Sequence, residues 1–174
     1  MHGATPISTL ENVRESARPR AVAVLRGGTT VLLIAVLACG VAGVFGVHST
    51  TASARGGGYE LSLRYAQTAR AGMDVPWSLT VRRAGGFDEP IVIAVTTGYF
   101  EMFETQGWSP EPSAETQDGD RSYMTFDPPP ADTLTVDFDA YIQPSSQQGS
   151  DGSVSLWQNG TDLVTIPFTT WLAP

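Results

Sequence analysis

Apolar residues follow two patterns along this chain, a continuous run near the start and an alternation of period two from about residue 59 onward. The run is Gly27 to Val47, GGTTVLLIAVLACGVAGVFGV, and none of its 21 residues is charged. A helix of that length reaches about 32 Å, close to the roughly 30 Å hydrocarbon core of a bilayer. The pattern therefore predicts one transmembrane helix over 27–47. Residues 1–26 carry Pro6, Pro19 and scattered polar residues with no apolar period, which predicts a disordered cytoplasmic tail. Residues 48–58, HSTTASARGGG, are small or polar throughout and predict a flexible linker.

Beyond the linker the alternation marks strands with one face in a core and one in water. Tyr59, Leu61, Leu63 and Tyr65 alternate with polar residues, as do Val75, Trp77, Leu79 and Val81. So do Leu134, Val136, Phe138, Ala140 and Ile142. Ile91–Val95, IVIAV, is apolar throughout and suits a central strand; Ser122–Asp127 is a weaker one. Asn159-Gly160 sits between Val154–Trp157 and Leu163–Phe168, and this dipeptide favours the positive φ angles of a tight hairpin. Pro167 lacks an amide donor, which points to an edge for the last strand. Seven strands, with turns rich in Gly, Pro, Asp and Ser, predict an all-β domain over 59–174: a seven-stranded, immunoglobulin-like antiparallel β-sandwich.

Charge sets the expected topology. Four arginines face two acids before the run, a net of +2, whereas from Gly56 onward five arginines face sixteen acids, a net of −11. The positive-inside rule then puts the N-terminus in the cytoplasm and the β domain outside the cell membrane. So acidic a domain repels nucleic acid. Three fates of the run compete: an uncleaved anchor, an export signal cut after Ala52-Ser53-Ala54, and a lipoprotein processed at Cys39. The apolar run exceeds a usual signal, and residues 40–47 stay apolar after the cysteine, so the anchor is favoured. Within it, Ala38, Ala42 and Gly46 recur every four residues, a spacing that lets two helices approach closely.

Absent residue types bound the chemistry. Both histidines, His2 and His48, precede the predicted β domain, which has neither Cys nor Lys. Histidine-activated nucleophiles and His/Cys metal centres are thus unavailable, and we expect no catalytic site, metal or cofactor. The richest remaining stretch is 98–119, too long for an ordinary hairpin turn. Tyr99, Phe100, Phe103 and Trp108 there either close one open end of the sandwich or form an exposed aromatic patch for a protein partner. Glu101, Glu104, Glu111, Glu115, Asp118 and Asp120 surround them with one nearby base, Arg121. Those carboxylates also raise an alternative, a calcium- or carbohydrate-binding surface sensor.

The anchor, the glycine-rich stretch, YELSLRYAQTARAGMDVPWSLTVRRAGGF and FDPPPADTLTVDFDAYI together resemble uncharacterised single-pass envelope proteins of actinobacteria. Their exterior part is similar in plan to immunoglobulin-like or fibronectin-like sandwiches. The resemblance implies architecture and location, and carries no activity. The expected function is non-enzymatic: a membrane-integral domain that binds or scaffolds another membrane or cell-envelope protein, with self-pairing through the helix as a further option.

Overall fold

A computed structural model of the chain describes residues 20–41, 43, 46–104 and 107–173, and divides the chain into two compact units that meet between residues 45 and 46. In the first unit the 22 residues Arg20–Val41 form helix α1. Its segment Val22–Val41 is long and apolar enough to cross a membrane. Leu25, Leu33 and Leu37 are all exposed along it.

The helix is shifted from the predicted 27–47. It begins at Arg20 because Ala, Val, Leu and Arg are all accepted in helices, so the charged residues before Gly27 continue the same turn pattern. Thr29 and Thr30 donate their hydroxyls back to the carbonyls of Leu25 and Arg26, at 3.0 and 2.9 Å. It ends at Val41 because Gly43 takes φ +71° and donates its amide to the Gly40 carbonyl, a left-handed glycine stop. The expected stripe Ala38, Ala42, Gly46 is therefore not one helix face. Ala38 lies within α1, Gly46 lies past the stop, and Ala42 is outside the described residues. The predicted tail survives as an expectation only for residues 1–19, which are also outside them.

The second unit is β-rich. Its elements are β1 (His48–Gly56), β2 (Tyr59–Ala69), β3 (Asp74–Val75), β4 (Trp77–Arg83), β5 (Ile91–Thr96), the single turn α2 (Thr97–Phe100), β6 (Trp108–Ser109), β7 (Ala114–Asp118), β8 (Arg121–Phe126), β9 (Thr133–Phe138), β10 (Ala140–Tyr141), β11 (Ser150–Gln158) and β12 (Thr161–Leu172). Nine strands form one curled sheet in the order β6-β9-β4-β2-β12-β11-β5-β8-β7, with β1 added against β2 and β3 paired to β10 separately. The seven-stranded, wholly antiparallel expectation is corrected here. The sheet is mixed, because β12 runs parallel to β2 where Trp171 and Leu172 face Thr68 and Ala69.

The expected linker is corrected as well. His48–Gly56 is a strand, in antiparallel register with β2 from His48↔Thr68 to Gly56↔Tyr59. Its small residues alternate like any other strand, and Ala52 and Ala54 pack against the core. Gly57 and Gly58 have φ of +58° and +84°, the geometry of a two-residue hairpin that favours glycine twice. A glycine run read as slack is a tight turn.

The sheet curls so that its two halves face one another across a single core. On one half the register aligns Leu63, Leu79 and Val136. On the other it aligns Ile166, Val154, Val95 and Ser122. All are buried. Rings join the halves: Phe168 of β12 lies 5.2 Å from Tyr65 of β2 and 6.5 Å from Trp77 of β4, centroid to centroid.

Candidate functional site

The curled sheet has two terminal strands, β6 and β7, joined by residues 110–113. Around this seam lies an open cleft of about 830 Å³. Its floor is apolar: Val95 of β5, Met124 of β8, Phe100 and Phe103 after β5, Trp108 of β6 and Phe138 of β9. Its acidic residues are Glu104, Glu111 and Glu115, all exposed, and no base is among the residues that line it. Thr97, Ser113, Gln117 and Ser122 add hydroxyl and amide groups.

Local sequence explains how the floor is held. Strand β5 ends at Thr96 and the chain makes one helical turn, after which Phe103 donates its amide to the Phe100 carbonyl at 3.1 Å. The return strand then clasps the segment. Phe103 bridges Ile142, the Gln143 side chain donates to the Phe103 carbonyl at 2.8 Å, and the Gln143 amide donates to that of Met102 at 2.9 Å. Phe100 packs edge to face on Phe138 at 5.1 Å and on Trp108 at 5.3 Å, and Trp108 lies tilted on Phe138 at 4.6 Å.

The four aromatics, read as either a plug of one open end or an exposed patch, separate into two groups. Phe100, Phe103 and Trp108 line the cleft; Tyr99 does not. Tyr99 and Phe103 are 1% and 3% exposed, so the patch is largely the plug of the core. The physical reason is the single turn at 97–100, which points Tyr99 inward against Phe168, 4.6 Å away. Its hydroxyl lies 2.8 Å from Thr170 Oγ1, and burial pushes its pKa up to about 12. Sequence reasoning missed Phe138 and Met124 at this cleft, because they come from strands outside the 98–119 stretch, and missed Gln117, an uncharged polar residue within that stretch. Phe138 had a signal, as an inward position of the alternating segment Leu134, Val136, Phe138, Ala140 and Ile142.

No protein-family model, curated protein or solved structure matches the chain. The site must therefore be read from its own chemistry. Asp118-Gly119-Asp120, raised as part of a calcium site, is the β7–β8 turn, with Gly119 at φ +61°. Among the described residues no three His, Cys, Asp or Glu side chains are grouped so as to hold a metal ion.

Two other features lie elsewhere on the β unit. Trp171 is 61% exposed beside a second cleft of about 820 Å³ whose lining includes Gln67, Asp151 and Thr169. On the outer face Arg121 donates to both carboxylate oxygens of Asp162, at 2.8 and 3.2 Å, and lies over the rings of Tyr123 and Trp157. The guanidinium already occupies those ring faces. The second cleft also has aromatic walls, Tyr65, Phe168 and Trp171, but a single acid, Asp151, where the seam cleft has three glutamates.

Proposed function

We propose that this chain is a membrane-anchored, non-enzymatic binding domain whose seam cleft receives a basic and apolar segment of another cell-envelope protein. The observation that carries the reading is the cleft itself. It combines a floor of interlocked aromatics with three glutamates and no lining base. Partly exposed apolar surface beside charge of one sign is the composition of a protein-docking site, and it selects a partner of the opposite charge.

The anchor reading rests on α1, whose apolar length fits a bilayer, and on the arginines that precede the uncharged run. The positive-inside rule then orients the chain with its N-terminus in the cytoplasm and the acidic β unit outside. We further read the curled sheet as a variant of the immunoglobulin-like sandwich, supported by two sheet halves that pack inner face to inner face. Lack of His, Cys and Lys from residue 49 onward supports a non-enzymatic role. The test is recovery of partners from cross-linked membranes, comparing the native chain with a Glu104→Gln, Glu111→Gln, Glu115→Gln variant. A partner that the native chain recovers and the variant loses supports the reading; equal recovery by both removes the cleft from it.

A further inference from the structure

We propose that the occupant of the seam binds as an added β-strand: an extended segment carrying basic and apolar side chains pairs with the free edge of β7. This rests on the cleft being the binding site, and it specifies the form of the partner. Among the described residues β7 pairs only with β8, and it ends the sheet. All five of its residues are exposed, so one row of its backbone amides and carbonyls has no strand beside it. Such an edge is a template for another chain.

The free edge of β7 is five residues long, about 17 Å at roughly 3.3 Å per residue, enough to pair with a short extended segment. Ser113, Glu115 and Gln117, spaced by two, all line the cleft, so an added strand would have these side chains as cross-strand neighbours.

Charge decides which strand can enter. Ala114–Asp118 reads AETQD, so a second copy of β7 at the same edge would bring two more acids beside Glu115 and Asp118, with the two Glu115 side chains diagonal to each other in full antiparallel register. Self-pairing is opposed, whereas arginine or lysine beside Glu115 and Glu111 is favoured. The occupant is thus a segment of a different protein, with basic residues to meet the glutamates and apolar ones to cover the partly exposed Phe100, Trp108 and Phe138.

The experiment places the full chain in zwitterionic nanodiscs and titrates a short capped peptide of alternating arginine and valine, with empty nanodiscs as control. A second peptide has the same side chains, but its backbone is N-methylated at alternate residues so that its edge cannot donate. Strand addition predicts that the first peptide binds and slows amide exchange along 114–118. It also predicts that the N-methylated peptide binds at least about tenfold more weakly. Gln117→Pro removes an amide that faces the free edge, because the Asp118↔Arg121 pair closes the β7–β8 turn and bonded pairs alternate along the ladder; it should reduce binding of the first peptide while leaving the melting temperature nearly unchanged. Equal binding of both peptides, lowered by Glu111→Gln with Glu115→Gln, would overturn strand addition and keep the cleft as the site. Binding of neither peptide at low salt would overturn the cleft reading itself.

Discussion

Tyr99 and Thr170 offer the sharpest test of how the core is held. Thr170 Oγ1 donates to the Ala66 carbonyl at 2.6 Å, and its hydroxyl has only one proton. The Tyr99 hydroxyl, 2.8 Å away, must then be the donor to Thr170. Tyr99 and Thr170 are each 1% exposed, so water does not replace a lost partner. Thr170→Val orphans two groups at once, the Tyr99 hydroxyl and the Ala66 carbonyl, and should cost about 2–5 kcal/mol. Tyr99→Phe leaves the Thr170–Ala66 bond intact and should cost only about 1 kcal/mol. In the double variant the Tyr99 hydroxyl is no longer orphaned, so the combined loss should fall short of the sum by about 1–2 kcal/mol. Urea unfolding of the unit from Gly46 onward, followed by tryptophan fluorescence, measures all three. A pH arm checks the same contact. The folded Tyr99 pKa is raised from 10.0 to about 12, so above pH 10 the unfolded state loses the proton first. The stability this group contributes is complete below pH 10 and declines by roughly 3 kcal/mol as pH rises through 12. Tyr99→Phe should lack that part of the decline. Equal costs for the two single variants, or an identical alkaline decline in both proteins, would refute the assignment of donor and acceptor.

Other consequences are as direct. Gly152→Ala would bring a Cβ to 2.8 Å from Phe168 Cζ and 3.0 Å from Tyr99 Cγ, so thermal melting should show a loss of about 1–3 kcal/mol. Starting the β unit at Gly58 instead of Gly46 removes β1 from β2 and should lower the urea midpoint by an equivalent of about 1–3 kcal/mol; an unchanged midpoint would restore the linker reading of 48–58. Arg121→Ala breaks a bidentate pair whose side chains are 25% and 35% exposed, and should cost about 0.5–1 kcal/mol, less at high salt.

How much of this was legible depended on whether the signal was local. Leu61, Leu63, Leu79, Val81, Leu134 and Val136 alternate in the sequence, and all are buried where that alternation directs them. The Asn159-Gly160 turn is where it was expected, with φ of 51° and 82° between Gln158 and Thr161. Pro167 was assigned to an edge strand, yet β12 lies inside the sheet order. At Pro167 that strand pairs only with β11, since β2 joins it only at Trp171 and Leu172. The edge is local. Strand β1 escaped because its half-buried positions are Thr50, Ala52, Ala54 and Gly56, too small or polar to give a hydrophobic pattern, and β7 escaped because all its residues are exposed. The seam was half legible. Phe100, Phe103, Trp108 and the nearby glutamates are neighbours in sequence, but their meeting with Phe138 and Met124 depends on long-range strand pairing.

The central claim, that the seam receives a segment of another envelope protein, is best tested by placing a photo-crosslinking residue at Ser113 in the cleft and irradiating intact membranes. Thr135, on the exposed face of β9, carries the same group as a control. The account predicts a reproducible adduct from Ser113 with a different protein through a basic segment, weakened when Glu104, Glu111 and Glu115 become glutamine. No adduct from Ser113 above the level at Thr135 would contradict it.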